Sequence, residues 1–374
     1  MKIEPFGVEQ WMNKWENHCT YNLAETCVES LTLAELMQMA GTTQQMPSDL
    51  AAMKMTYGAI RGSDGLRGTV AGLFELQTPQ NVLICHGTIG ANHMVYQTLV
   101  SAGDHVVAVT PTYQQHTSIP RSIGAEVTEL PLRADQRWLP DWDALEALVR
   151  PDTKVIALTN PNNPTGALID RAGLERLAEI AGKVGAWVLC DEVYRGTEQG
   201  APVPSIVDVY KRGISTGSTS KAYSLAGLRL GWIVGPESLL DDCEVHRDYT
   251  TISVGMVDDY FATMALGARD AVIERSRRIT RGNLAVLDAW VQAEPKAQYV
   301  KPDAGTTALL ALDVEMRSYD LCEALLSDTG VMFTPGSVMG MEGYVRVGFA
   351  NNPKVLSAGL EKVSGWLAKQ RPAR

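Results

Sequence analysis

STSKAYSLAGLRLGW, residues 218–232, sets Lys221 directly after Ser218, Thr219 and Ser220, a short step before Gly227 and Arg229. A lysine amine in such a setting is suited to forming a Schiff base with a carbonyl. Crowding by another cation keeps part of that amine deprotonated and nucleophilic. The hydroxyls and the directional fork of Arg229 suit a phosphate beside that carbonyl. The same residues also read as a surface lysine on a serine-rich turn, so the flanking chain has to separate the two readings.

Upstream, β-like runs alternate with helical stretches. The runs are 81–85, 105–110, 154–160, 186–192, 213–218 and 230–235, and RAGLERLAEIAGKVG (171–185) is a typical helical interval. Alternation of this kind predicts an α/β fold, a mostly parallel sheet with helices on both faces. LTLAELMQMA (31–40) carries apolar residues at helical spacing. Beyond about 250 the pattern changes to a long amphipathic helix (272–292), shorter β-like pieces and a C-terminal helix near 354–369. The expected organisation is an N-terminal arm and part of a small domain (1–45), a large domain (46–265) and a C-terminal small domain (266–374). The small domain is then an α+β unit built from both chain ends.

In open α/β sheets, sites gather at the carboxyl ends of the strands, and the notable residues of this chain fall there. HGTIGAN (86–92) is a Gly-rich turn before a helical stretch, suited to an anion or simply to tight packing. PTYQQH (111–116) offers Tyr113, either a half-buried strand-end ring or a flat partner for a planar ligand. NPNNPTG (160–166) is stiffened by two prolines and turned by Gly166, a frame able to aim the Asn163 amide. Asp191 ends an apolar run, where a carboxylate caps a turn or needs a partner to stay charged. Arg346, inside YVRVGFA (344–350), needs either a carboxylate in a structural ion pair or one brought by a ligand.

Together, the order and spacing of these motifs resemble the class I and II aminotransferases, fold type I pyridoxal 5'-phosphate (PLP) enzymes. The resemblance runs from about Tyr57 to Phe349. It implies that Gly87, Thr88, Ile89, Ser218, Ser220 and Arg229 cradle the PLP phosphate and that Tyr113 lies against its ring. It implies that Asn163 and Tyr194 bond the phenolic oxygen, with Asn163 also facing substrate, and that Asp191 keeps the ring nitrogen protonated. Lys221 is then the Schiff-base lysine and the general acid/base, and Arg346 grips the substrate α-carboxylate. YGAIRGSDGLR (57–67) matches the family's Y-x4-G-x3-L-R, in which the tyrosine reaches a phosphate across a dimer interface. Tyr57 would therefore serve a neighbouring subunit of a homodimer. Asp191, Tyr194 and Lys221 form the expected catalytic set, acting on a small-molecule α-amino acid.

One segment departs from the family. NLAETC (22–27) has Glu25 and Thr26 where a small Gly-containing turn is usual. A carboxylate there would suit a cationic, arginine-like side chain, or it is a solvated charge near a helix start. Thr26 and His116 are assigned to the substrate side, His116 as a proton carrier, although it also reads as a structural histidine. Glu9 and His18 lie in the N-terminal arm, with no place fixed. The segment is loosely similar to capreomycidine- and enduracididine-forming cyclases acting on hydroxylated arginine, so elimination and ring closure stands beside transamination.

Composition narrows the setting. A net charge of −10 without a basic patch argues against a nucleic-acid or anionic-membrane surface. There is no apolar leader and no run long enough to span a membrane. The six cysteines are scattered without a CxxC pair, which fits reduced cytoplasmic thiols rather than disulfides or a metal site.

Overall fold

The structure, a computed structural model, describes residues 2–372. After a two-residue strand β1 (Tyr21–Asn22), the chain lays down the expected alternation. Its strands are β2 (Val82–Cys85), β3 (His105–Thr110), β4 (Glu126–Pro131), β5 (Thr153–Thr159), β6 (Trp187–Asp191), β7 (Gly213–Ser218) and β8 (Gly231–Val234). They form one sheet in the order β2-β8-β7-β6-β5-β3-β4. Pairing is parallel from β4 across to β7, whereas β8 runs antiparallel to both its neighbours.

Near-continuous apolar strands are what a sheet covered on both faces requires. Val107, Ile156 and Val188 enter one core, while their neighbours Val106, Val155 and Leu189 enter the other. That is the two-residue period of a pleated strand feeding two layers of helices.

A second sheet, in the order β12-β13-β10-β9, is antiparallel: β9 (Ala297–Tyr299), β10 (Thr307–Leu312), β12 (Thr334–Pro335) and β13 (Tyr344–Gly348). Between them β11 (Val331–Met332) pairs in parallel with β1. The chain start is thereby stitched to the chain end, and Trp11, Leu23, Phe333, Val347 and Trp366 share a separate core. The long helix spans Arg269–Ala293 and the last spans Pro353–Leu367, each close to its expected range. The early helix Leu33–Ala40 starts where Thr32 and Glu35 cap each other and stops at Gly41 (φ +67°).

Candidate active site

The ends of β2, β5, β6 and β7 open onto one cavity of about 380 Å³, roofed by the helix Gly7–Trp15 and by residues 24–27. The helix after β2 begins at Gly87 itself, not after the glycine-rich run as the sequence suggested, and continues to Leu99. Gly87, Thr88 and Ile89 are therefore its first turn, whose N–H groups have no intrahelical acceptors. The Thr88 hydroxyl is buried without a partner. Gly87 has φ +66°, and a Cβ there would sit 3.1 Å from the Arg229 guanidinium. Ser218 and Ser220 are buried beside it, and Arg229 Nη1 lies 3.5 Å from Ser220 Oγ. An unsatisfied hydroxyl, a free helix turn and a guanidinium around one small space fit a phosphate.

At the other end of the cavity, Asp191 Oδ2 accepts from Asn92 Nδ2 (2.9 Å), and Oδ1 accepts from the Val193 N–H (3.1 Å). Asn92 is held in turn by Thr216, whose hydroxyl donates to Asn92 Oδ1 (2.7 Å). Burial nevertheless pushes the Asp191 carboxyl up to about 6. A carboxylate under that pressure is suited to pair with a protonated ring nitrogen.

Lys221 Nζ donates to Thr26 Oγ1 (2.6 Å) and lies 3.4 Å from Cys27 Sγ. The Tyr194 phenol lines the same cavity as Thr26 and Lys221. Burial pulls the amine down, but Cys27, Tyr194 and Glu25 outweigh it and hold the charged form above its ordinary value. The expectation that a crowding cation keeps the amine deprotonated is corrected here, because its nearest partners are a hydroxyl and a thiol. Burial pushes the Cys27 thiol up to about 11, so it faces the lysine protonated.

Arg346 is 3% exposed. Its Nη1 donates to Asn163 Oδ1 (3.2 Å) and its Nη2 to Ala24 O (3.3 Å) and Thr334 Oγ1 (3.2 Å), while Nε has no partner. Every acceptor is neutral. Among the described residues no carboxylate pairs with this guanidinium, so the structural ion pair is absent and burial lowers its pKa. A buried cation with a free N–H and only neutral partners is poised for an incoming carboxylate.

Tyr113 lines the cavity and donates to Glu9 Oε1 (2.6 Å), with the Phe6 ring 4.7 Å away. Glu25 lines it too, but its Oε1 accepts the N–H groups of both Thr26 and Cys27 (2.7 Å each). Burial would raise the Glu25 carboxyl, yet Lys221 and those N–H groups hold it below its usual value.

Two expected residues are elsewhere. His116 does not line the cavity, which corrects its placement on the substrate side. It is fully buried, with Nδ1 3.0 Å from the Tyr96 hydroxyl, and burial pushes it down to about 4, making it a poor proton carrier. Tyr57 is 78% exposed and outside its own subunit's cavity. His18 is exposed and away from the cavity, whereas Glu9 reaches it.

The profile of the family described as "Aminotransferase class I and II" matches residues 29–363. The chain belongs to that family. Among relatives of these aminotransferases, the capreomycidine synthase of Streptomyces vinaceus is 29% identical over 98% of this chain and 95% of its own. The arginine–pyruvate transaminase of Pseudomonas aeruginosa is 26% identical over 87% and 86%. A PLP-dependent aminotransferase from Streptococcus suis 89-1591, solved as a crystal structure, superposes with a TM-score of 0.97 at 42% identity, covering all of both chains. This aminotransferase-family enzyme is of fold type I and its cofactor is PLP, consistent with the orphaned Thr88 hydroxyl, the Arg229 cradle and the buried Asp191.

Proposed function

We propose that this enzyme is an aminotransferase whose donor is an α-amino acid held by its carboxylate on Arg346. The observation carrying the reading is the buried Arg346 guanidinium, which has neutral partners only and an unpaired Nε. When bound, PLP supplies an aldehyde for covalent capture of the amine and an electron sink for the bond that breaks. Lys221 anchors it and, once displaced, carries a proton to and from the α-carbon. The Thr26 hydroxyl holds that lysine within reach of Tyr194. Asn163 ties the carboxylate-binding arginine to the site through its own amide oxygen. Gly87, Thr88, Ile89, Ser218, Ser220 and Arg229 would hold the phosphate, and Tyr113 would lie against the ring.

A second reading has its own observation. Thr26 and Cys27 touch the lysine amine, so the site holds additional proton-bearing groups. Those groups suit a cyclase that expels a leaving group from an arginine-like substrate, and the likeness to capreomycidine synthase supports it.

Two further parts of the proposal concern organisation. A homodimer, with Tyr57 reaching the partner's phosphate site, is supported by a fully outward tyrosine. The division into 1–45, 46–265 and 266–374 is supported by the core that Trp11 and Leu23 share with the C-terminal strands. A cytoplasmic setting is supported by six unpaired cysteines.

The deciding experiment is a single turnover of PLP-loaded enzyme with a pool of amino acids, hydroxylated arginines included, and no acceptor. A cofactor that ends aminated, with one 2-oxo acid formed, supports transamination. Loss of water from the substrate with the cofactor restored supports the cyclase. An unchanged cofactor spectrum with every amino acid would overturn both.

A further inference from the structure

Four carboxyl and three basic side chains line the cavity in opposed sets: Glu9, Glu16, Glu25 and Asp191 against Lys221, Arg229 and Arg346. On the proposed reading each cation has a partner in the loaded site, namely phosphate for Arg229, α-carboxylate for Arg346 and cofactor for Lys221. Asp191 faces the ring nitrogen. Three carboxylates are left. Glu25 is the one the sequence singled out, yet its Oε1 already takes two N–H groups, from Thr26 and Cys27, and its charge is set against Lys221. Glu16 is exposed at the rim. Glu9 is half-buried, and its Oε1 takes only the Tyr113 hydroxyl, leaving Oε2 without a partner.

The helix that carries Glu9 is fixed rather than loose. Trp11, 2% exposed, donates its indole N–H to Phe333 O (2.8 Å). The Gly7 N–H donates to Gln114 Oε1 (2.8 Å), and Ser118 donates to Glu4 (2.6 Å). Gly7 packs so closely that a Cβ there would meet Val338 O at 2.8 Å. The Glu9 carboxylate is thus held in place, in the same cavity as Arg346, whose partners are all neutral.

We propose that Glu9 is the specificity-determining residue, and that it binds the cationic nitrogen group, guanidinium or ammonium, at the far end of the substrate side chain. An α-amino acid then spans the cavity between two opposite charges, its carboxylate on Arg346 and its side-chain cation on Glu9. Glu25 serves instead as a charge partner of Lys221. The proposal rests on the amino-acid reading above.

The test is calorimetric titration of PLP-loaded enzyme with 5-guanidinopentanoate and 5-ureidopentanoate. These are near-isosteric carboxylates that differ in side-chain charge, and neither carries an amine able to react. The guanidino compound should bind about tenfold more tightly or better, the advantage of a charge-assisted hydrogen bond. Glu9→Gln should cut that preference below about threefold, and Glu25→Gln should keep it. Equal binding of the two compounds to the parent enzyme, or a preference that survives Glu9→Gln, would overturn the proposal. If Glu9→Gln binds neither compound, Glu9→Asp decides. A preference retained there supports the carboxylate, and a preference lost rejects it. Arg346→Ala isolates the underlying reading, since unchanged affinity for both compounds would remove the α-carboxylate placement and this proposal with it.

Discussion

The buried Asp191 carboxyl gives the cofactor-free protein a distinctive pH dependence. Burial pushes it up to about 6 from the ordinary 3.8. Between about pH 4 and pH 6 the folded state keeps a proton that the unfolded chain has released, so stability falls as pH rises. A shift of that size is worth about 3 kcal/mol. Asp191→Asn removes this titration, so the stability of the variant relative to the parent should rise across that window and level off above it. Denaturant unfolding of the apoprotein at a series of pH values checks this, and a flat difference would refute it. In the PLP-loaded protein, a protonated ring nitrogen should suppress the effect. At Arg346 the expected outcome is kinetic: Arg346→Lys loses the fork that grips a carboxylate, and KM should rise about tenfold or more. Most of these residues were legible because their spacing is local and each follows a strand end. Asn92 and Cys27 were not. Asn92 is one polar residue in a helix, and its meaning comes from Asp191, 99 positions away. Cys27 meets a lysine 194 positions distant.

Helix starts do much of the positioning, and they were less legible. The sequence read HGTIGAN as a turn, but Gly87 takes φ +66°, a left-handed conformation open to glycine, and the helix begins there. An alanine there takes on backbone strain and crowds the guanidinium at 3.1 Å. Gly87→Ala should therefore weaken PLP binding about tenfold, measured by cofactor titration, with little change in fold. The helix Gly7–Trp15 was not read from the sequence, although Val8, Trp11, Met12 and Trp15 recur along it at i, i+3, i+4 and i+7, with Val8 and Trp11 buried. At nine residues it is too short to hold on its own, so its apolar face depends on the contacts beneath it. Trp11→Ala should cost about 3–5 kcal/mol of stability by leaving a large cavity, and it should release the roof that carries Glu9. Loss of stability in denaturant, together with a raised KM, would show that the helix is held from below; an unchanged unfolding midpoint would refute that. The antiparallel β8 was also unforeseen, since an apolar run buried on both faces carries no record of its direction.

For the whole molecule, the homodimer proposed above would make one chain half of the working unit. Met55, Tyr57, Ile60, Tyr249 and Ile252 are exposed together with a groove of about 670 Å³ lined by Met39, Met53, Val254 and Met256. Exposed apolar surface of this kind suits an interface, and in the proposed homodimer a second copy related by a twofold axis would cover it on both subunits at once. If Tyr57 then completes the partner's phosphate site, each site draws Lys221 from one chain and Tyr57 from the other. Two impaired variants become a direct test. Lys221→Ala lacks the anchor but keeps Tyr57, whereas Tyr57→Ala lacks the phosphate contact but keeps Lys221. After unfolding and refolding together in equal amounts, half of the dimers are mixed, and each mixed dimer holds one intact site. Activity at limiting PLP should return to about a quarter of the parent value. If Tyr57 instead served its own chain, every site in the mixture would remain damaged and mixing would restore nothing.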